Sequence, residues 1–433
     1  MIGLARVLIF AEILTASLYI VSFKVTAVRI IAVILIFMVF LIGTGNNKIK
    51  PTTKSLVYWA VLLISFKFVV DVGFHSGDLL ASVTLFLKEF VIVLMLPVFE
   101  RIGSEKIGPE IMIVIAGIPT CVFGLLQIYS PEYTIAELLP QNSYIITEGI
   151  TESYIRSEKR IVGTYTLAIG FALFLGYLSM QLLAYGLRSN KKVKTILALI
   201  YIGIVLVLVV ATQTRSAIYG LPLAVILAFI ACDVKNIRRW SIGFFVGMVF
   251  IGSYAAYESF IVKYSERSSM EVDANTYYKI TANLYGTYAA LKDNILIGVP
   301  RFKEDDPGSY GRFKELIREG QRKLGRVIDN RHSFNLMVTN HNMFAYYLRH
   351  YGIIGFSLLV VVLWKVYKKI QSKREILDRF MLYGVAIYFL QYVLLHNPQL
   401  LEELLLWILL SKGIEIIDET NITKSQRFDV RLQ

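Results

Sequence analysis

The chain has 433 residues, 56% of them hydrophobic, and a mean hydropathy of +0.59. That is too apolar for a soluble globular protein, and apolar runs long enough to cross a bilayer recur along nearly the whole length. The net charge of +13 is therefore not a nucleic-acid footprint, because the lysines and arginines concentrate in short loops, where they set orientation. The two cysteines, Cys121 and Cys232, lie within or beside apolar runs and make neither a disulfide framework nor a metal site.

In chain order, apolar spans are predicted at ~4–22, ~26–43, ~56–73, ~79–98, ~110–129, ~161–184, ~195–211, ~216–232, ~240–258, ~343–364, ~376–395 and ~399–416. The first lacks a small-residue cleavage site and reads as a retained helix. Lys67, Asp71, Lys88 and Glu89 fall inside or near the ends of two spans, so they must face the bundle interior or snorkel, with structural pairing as the expected role. The fold class is accordingly all-α: a polytopic helical membrane protein of about twelve transmembrane helices, with a large external (periplasmic) loop between the ninth and tenth. Residues 1–258 hold the first nine helices and 259–342 an external, partly helical module. Residues 343–433 hold the last three helices and a cytoplasmic tail.

Basic loops at 44–55, 99–110, 185–194, 233–239 and 365–375 alternate with turns that carry only Arg215. By the positive-inside rule the basic side is cytoplasmic, and 130–160 and 259–342 are external. Within the module, Phe313, Leu316, Ile317, Leu324, Val327 and Ile328 recur at helical spacing among basic residues. That pattern suits a surface-lying helix or lid, and equally an ordinary solvated helix. Tyr277, Tyr278, Tyr285 and Tyr288 suit sugar stacking, and a membrane interface more simply.

Two stretches carry chemistry. The first is Ala211-Thr212-Gln213-Thr214-Arg215-Ser216-Ala217, a very short external turn with an arginine at its tip. Arginine presents a planar fork of donors suited to phosphate oxygens, although a helix-ending arginine also anchors to headgroups. The second is the stretch from Asn340 to Gly355. On a continuous helix His341, Ala345, Leu348, Gly352 and Gly355 share one face, with an imidazole at the outer end. The two glycines below it leave room for another helix or a lipid chain. The plain alternative is a surface histidine with two packing glycines.

His341-Asn342, nine residues, then Gly352-x-x-Gly355 resembles the signature of the O-antigen ligase and polymerase family, and Thr214-Arg215-Ser216 resembles that family's Thr/Ser-Arg motif. Arg160-Ile161-Val162-Gly163-Thr164-Tyr165 is similar to its Arg-x-x-Gly-Thr-Phe element. Asn294-Ile295-Leu296-Ile297-Gly298-Val299 is similar to its Asn-Pro-Leu-Leu-Gly-Val-Gly turn, with Ile295 for the proline and Pro300 for the second glycine. The likeness covers roughly Arg160–Gly355.

The resemblance implies a membrane glycosyltransferase whose donor is a glycan on undecaprenyl diphosphate, presented at the outer face of a bacterial cytoplasmic membrane. Such an enzyme needs a base near the acceptor hydroxyl and fixed positive charge where the diphosphate leaves. His341 fits the base, and Arg215 with Arg160 fits the clamp. The family's second external arginine falls near Lys279, so Lys279, Arg267 or Arg301 supplies that charge, and Asn342 flanks the base in the substrate site. Glu304-Asp305-Asp306 reads as a solvated turn, so the expectation is a metal-independent enzyme without cofactor. The implied acceptors are a glycan, for an O-antigen polymerase, or lipid A-core, for an O-antigen ligase. Membrane lipids and a chain-length regulator are the remaining implied partners. A lipid-linked oligosaccharide transporter is the rival from another class.

Overall fold

The computed structural model describes residues 51–75, 109–129, 160–165, 168–188, 192–232, 294–299, 342–371 and 376–395, with shorter helical pieces within 79–93 and 287–292. Helices α1 (Pro51–Val69, continued by a π-turn over Val70–Phe74), α2 (Pro109–Tyr129), α3 (Ala168–Arg188) and α4 (Lys192–Ala211) come first. They are followed by α5 (Arg215–Ala231), α6 (Met343–Gln371) and α7 (Ile376–Leu395). There is no strand among the described residues, as an all-α reading requires. Pro51 and Pro109 stand at the first helical positions of α1 and α2, where a missing N–H costs nothing.

Burial along α3 explains the arrangement. Phe171, Ala172, Leu173, Phe174 and Leu175 are all buried, together with Tyr177, Leu178 and Met180, so this helix is covered on every side. It packs chiefly on α4 and α7, while α5 packs on α7 and α1 on α6. On α4 the buried face is Ala198, Ile202, Val205 and Val209, and the outward face is Val193, Ile196, Ile200, Ile204 and Val207. Beyond Lys192 and Lys194 at its start, an outward face of branched aliphatic side chains would be an aggregation surface in water; against hydrocarbon it costs nothing. Three described helical stretches, Pro51–Phe74, Ala168–Gly186 and Lys192–Ala211, are long and apolar enough to cross a membrane. The protein is a membrane protein.

Cross-helix contacts fix the directions. Lys369 Nζ donates to Thr53 Oγ1 (3.0 Å) at one end of the α1–α6 pair, and Tyr351 OH donates to Asp71 Oδ2 (3.1 Å) at the other. The two helices are therefore antiparallel. The Phe229 and Phe380 rings meet at 4.5 Å, so the last turn of α5 lies beside the first turns of α7. Tyr388 OH bonds to the Ala172 carbonyl (2.9 Å), so α7 also runs against α3. The Tyr367 ring lies 6.3 Å from that of Tyr383, tying α6 to α7 in the same sense. One end of the bundle thus gathers the C-terminal ends of α1, α2 and α4 with the N-terminal ends of α3, α5 and α6.

Where α6 departs from the sequence reading, the cause is local. It continues past Trp364 to Gln371, because lysine is a good helix former whose stem lies along apolar surface; Lys368 Nζ sits 5.0 Å over the Trp364 ring. More consequentially, the helix is broken at Gly352, which has φ 58° and ψ −160°. The face that His341, Ala345, Leu348, Gly352 and Gly355 would share on a continuous helix is therefore interrupted. Between α1, α6 and α7 lies a cavity of about 390 Å³, lined almost wholly by aliphatic and aromatic side chains, with Glu89 and Tyr347 among its few polar contributors.

Candidate functional site

Two junctions form at the gathered end of the bundle, each joining segments far apart in sequence. The first is built on the turn between α4 and α5. Thr212 Oγ1 reaches back to the Val209 carbonyl (2.7 Å) and accepts from the Thr214 amide (3.3 Å), while Gln213 takes a left-handed φ of 51°. A non-glycine residue there is strained, and such strain concentrates where the backbone must present something. Arg160 spans the turn from outside: Nε donates to the Thr212 carbonyl (2.9 Å) and an Nη to Thr214 Oγ1 (3.2 Å). Thr214 is the N-cap residue of α5, and Arg215 is its first helical residue. Arg160 thereby braces the short turn that delivers Arg215, whose own side chain lies outside the described residues.

The chain that carries Arg160 is itself tied to α2. Gln127 Oε1 accepts from the amides of Val162 (2.9 Å) and Gly163 (2.8 Å), and Gln127 Nε2 donates to the Gly163 carbonyl (3.1 Å). Residues 160–165 are consequently non-helical although Ile161, Val162 and Tyr165 are buried, and α3 starts at Ala168 rather than near 161.

The second junction is the break in α6. Asn342 caps the helix: its Oδ1 accepts from the Ala345 amide (3.1 Å) and its carbonyl from the Tyr346 amide (2.9 Å). That side-chain oxygen thus shapes the start of α6 rather than lying free for a ligand. Where α6 opens at Gly352, the turn 294–299 is inserted. The amides of Ile353 and Ile354 donate to the carbonyls of Ile295 (2.9 Å) and Leu296 (3.3 Å), and the Val299 amide donates to the Arg349 carbonyl (2.8 Å). The backbone groups released by the break are satisfied by a second piece of chain, as buried backbone in an apolar surrounding demands. The turn holds its own shape through Asn294, whose Oδ1 accepts from the Ile297 amide (3.3 Å).

Glycine is required on both sides of this contact. A Cβ on Gly352 would meet the Leu296 carbonyl and the Ile297 nitrogen (2.6 Å); one on Gly298, at φ 71°, would meet the His350 carbonyl carbon (2.7 Å) and the Tyr351 nitrogen (2.8 Å). What approaches Gly352 is therefore neither a neighbouring helix nor a lipid chain but the backbone of 294–299. At Gly355 a Cβ would lie 3.2 Å from the Phe66 ring, so there a helix, α1, does come close.

A polar cluster backs the second junction. Lys67 Nζ pairs with Glu89 Oε1 and stands 5.4 Å and 5.6 Å from the ring centroids of Tyr347 and Tyr351, as the expectation of structural pairing had it. Asp71 takes the hydrogen bond from Tyr351, with His75 Nδ1 4.0 Å from its other oxygen. His350 Nδ1 lies 3.1 Å from the Val299 carbonyl, and the Tyr346 hydroxyl 3.5 Å from that of Tyr351. Lys67, Asp71, Arg349, His350 and Tyr351 are all buried.

Of the residues singled out by sequence, Arg160 and Asn342 are thus described with their partners, and Arg215 by its backbone. His341, Arg267, Lys279, Arg301 and the helical stretch 309–328 lie outside the described residues. Sequence reasoning passed over Gln127, whose signal was a lone amide in an otherwise apolar run, and Tyr351, which carried no signal apart from its place before Gly352. No protein-family model matches the chain.

Proposed function

We propose that this protein is a membrane glycosyltransferase that polymerises undecaprenyl-diphosphate-linked oligosaccharide units of O-antigen or a similar surface polysaccharide. In this reading it crosses the cytoplasmic membrane about twelve times and works at the outer face. His341 removes the proton from the acceptor hydroxyl as that oxygen attacks the donor's anomeric carbon. The sugar–phosphate bond breaks, and the diphosphate lipid leaves with its charge held by Arg215 and by a basic residue of the external module. Arg160 braces the turn from which Arg215 acts. Histidine suits the base because its ordinary pKa lies near neutral pH, and the arginine fork suits diphosphate oxygens.

The observation that carries the reading is the pairing of its motifs. The four stretches that resemble the ligase and polymerase family are hydrogen-bonded in two pairs, 160–163 with 211–214 and 294–299 with 349–354. Both pairs fall at one end of the bundle. Motifs that served only as loop punctuation would have no reason to find one another.

Two alternatives rest on specific grounds. An O-antigen ligase moving the glycan to lipid A-core needs the same base and clamp. A transporter of lipid-linked oligosaccharide draws on the broken helix α6 and the buried Lys67–Glu89 pair, features common in transporters. Purified protein given a lipid-linked repeat unit, with chelator present, separates the three. A polymerase yields longer lipid-linked glycans from that donor alone, a ligase yields product only after lipid A-core is added, and a transporter forms no glycosidic bond under either condition.

A further inference from the structure

We propose that Asp71 is a positioning residue for this transfer: through Tyr351 it fixes the angle of the half-helix Met343–Tyr351, whose cap Asn342 directly follows His341 in the chain. The inference rests on the transferase reading above and names a residue that reading does not use. Tyr351 is the last residue before the break, fully buried, and its hydroxyl donates to Asp71 Oδ2 (3.1 Å). Asp71 stands in the π-turn Val70–Phe74 at the end of α1. Two irregular helix segments therefore meet side by side at the Tyr351–Asp71 hydrogen bond.

The chemistry of the pair calls for a role. A carboxylate buried in a membrane bundle is expensive, and an apolar residue would fill the same space at less cost. Lys67, one turn away on α1, pairs with Glu89, so Asp71 is not needed to balance it. The group facing Asp71 from α6 is the Tyr351 hydroxyl, and His75 lies 4.0 Å away on its own element. Geometry supplies the role. The break at Gly352 interrupts the backbone bonding between Met343–Tyr351 and the rest of α6, and at the broken end Tyr351 is held by Asp71 while the turn 294–299 fills the gap; Phe344 still meets Phe356 across the break and Lys67 lies over the Tyr347 ring. Met343, the first helical residue, stands about 12 Å up the helix from Tyr351 at 1.5 Å per residue, so a tilt of about 5° at the brace displaces that end, and the chain entering it, by about 1 Å. A displacement of that size at a reacting group costs up to about 100-fold in rate.

The test compares Asp71→Ala, Asp71→Asn and Tyr351→Phe by steady-state transfer and by hydrogen–deuterium exchange over 294–299 and 349–356. Asp71→Ala is expected to lower kcat about 10- to 100-fold with KM for the donor within about twofold, because the diphosphate clamp is untouched. Exchange at Val299, Ile353 and Ile354 should quicken. Asp71→Asn offers an amide oxygen to the same hydroxyl and should restore kcat to within about threefold, with exchange as in the wild type. Tyr351→Phe, which removes only the hydroxyl, should resemble Asp71→Ala, and it carries the comparison should Asp71→Ala not accumulate. Wild-type kcat in Tyr351→Phe, or a loss that Asn does not rescue and that leaves exchange unchanged, overturns the proposal while the transferase reading stands. If His341→Ala is silent or the wild type makes no glycosidic bond, that reading falls and this proposal with it; faster exchange in Asp71→Ala would then mark a purely structural brace.

Discussion

The two junctions at the gathered end of the bundle differ in the kind of contact that dominates each. At Gly352 backbone meets backbone: a helix opens, a turn from elsewhere in the chain enters the gap, and three main-chain hydrogen bonds close it. At the α4–α5 turn side chains do most of the joining: Arg160 reaches the Thr212 carbonyl and the Thr214 hydroxyl, Gln127 binds the backbone of Val162 and Gly163 and holds it non-helical, and one main-chain bond, from Ile161 to the Ala211 carbonyl (3.5 Å), is added. The first arrangement is specified by what is absent, since any Cβ at Gly352 or Gly298 collides with main chain that has no room to shift. The second is specified by what is present, and tolerates change wherever the hydrogen bonds survive. A backbone junction should therefore fail in an all-or-none manner and a side-chain junction by degrees.

Substitution sizes are the way to break that contrast. Gly352→Ala should have the largest effect. A side chain at φ 58°, ψ −160° occupies a region open essentially to glycine, at about 1–3 kcal/mol, before the collision with Leu296 is added. The expected outcome is loss of monodisperse protein, or a fall in melting temperature larger than for any side-chain variant below; a fully stable Gly352→Ala would refute the interlocked junction. Gln127→Leu comes next. It strands the amides of Val162 and Gly163 at about 1–3 kcal/mol for each buried group left unsatisfied, so melting should fall clearly while the protein still folds, with Gln127→Glu falling less. Smallest is Tyr388→Phe, which deletes one hydrogen bond between α7 and α3 and none of the hydrogen bonds that make either junction. About 1 kcal/mol is expected, read as a melting shift of a few degrees with transfer unchanged. A shift as large as that of Gln127→Leu would mean the junctions are not the sensitive points of this bundle.

How much of this was legible in the sequence follows the same division. Helix α7 runs over Ile376–Leu395 and α4 over Lys192–Ala211, close to their apolar runs, because both are bounded by polar residues and owe their limits to local composition. The motif stretches were legible as well, but their pairing was not. Nothing in the run from Met343 to Trp364 announces a break at Gly352; the helical spacing of apolar residues continues across it, and only the arrival of 294–299 makes opening the helix favourable. Likewise Ile161 and Val162 read as the start of a span, yet Gln127, on another helix, holds them non-helical. Asp71 was legible as a charge that had to be paired, while its partner Tyr351 belongs to a helix almost 300 positions away, as the separation of 280 residues records. Hydropathy reports on the bilayer; it does not report which piece of chain fills a gap in another.

The claim that these junctions hold one catalytic unit is tested most directly by a double-mutant cycle on transfer, with His341→Ala, Arg215→Ala and the double variant, expression being matched. Residues acting on the same transition state are strongly non-additive. The account predicts that each single variant loses about 10²- to 10⁴-fold in kcat, and that the double variant falls within about threefold of the worse single one. Losses that multiply, or full activity in either single variant, would contradict a shared site at this end of the bundle.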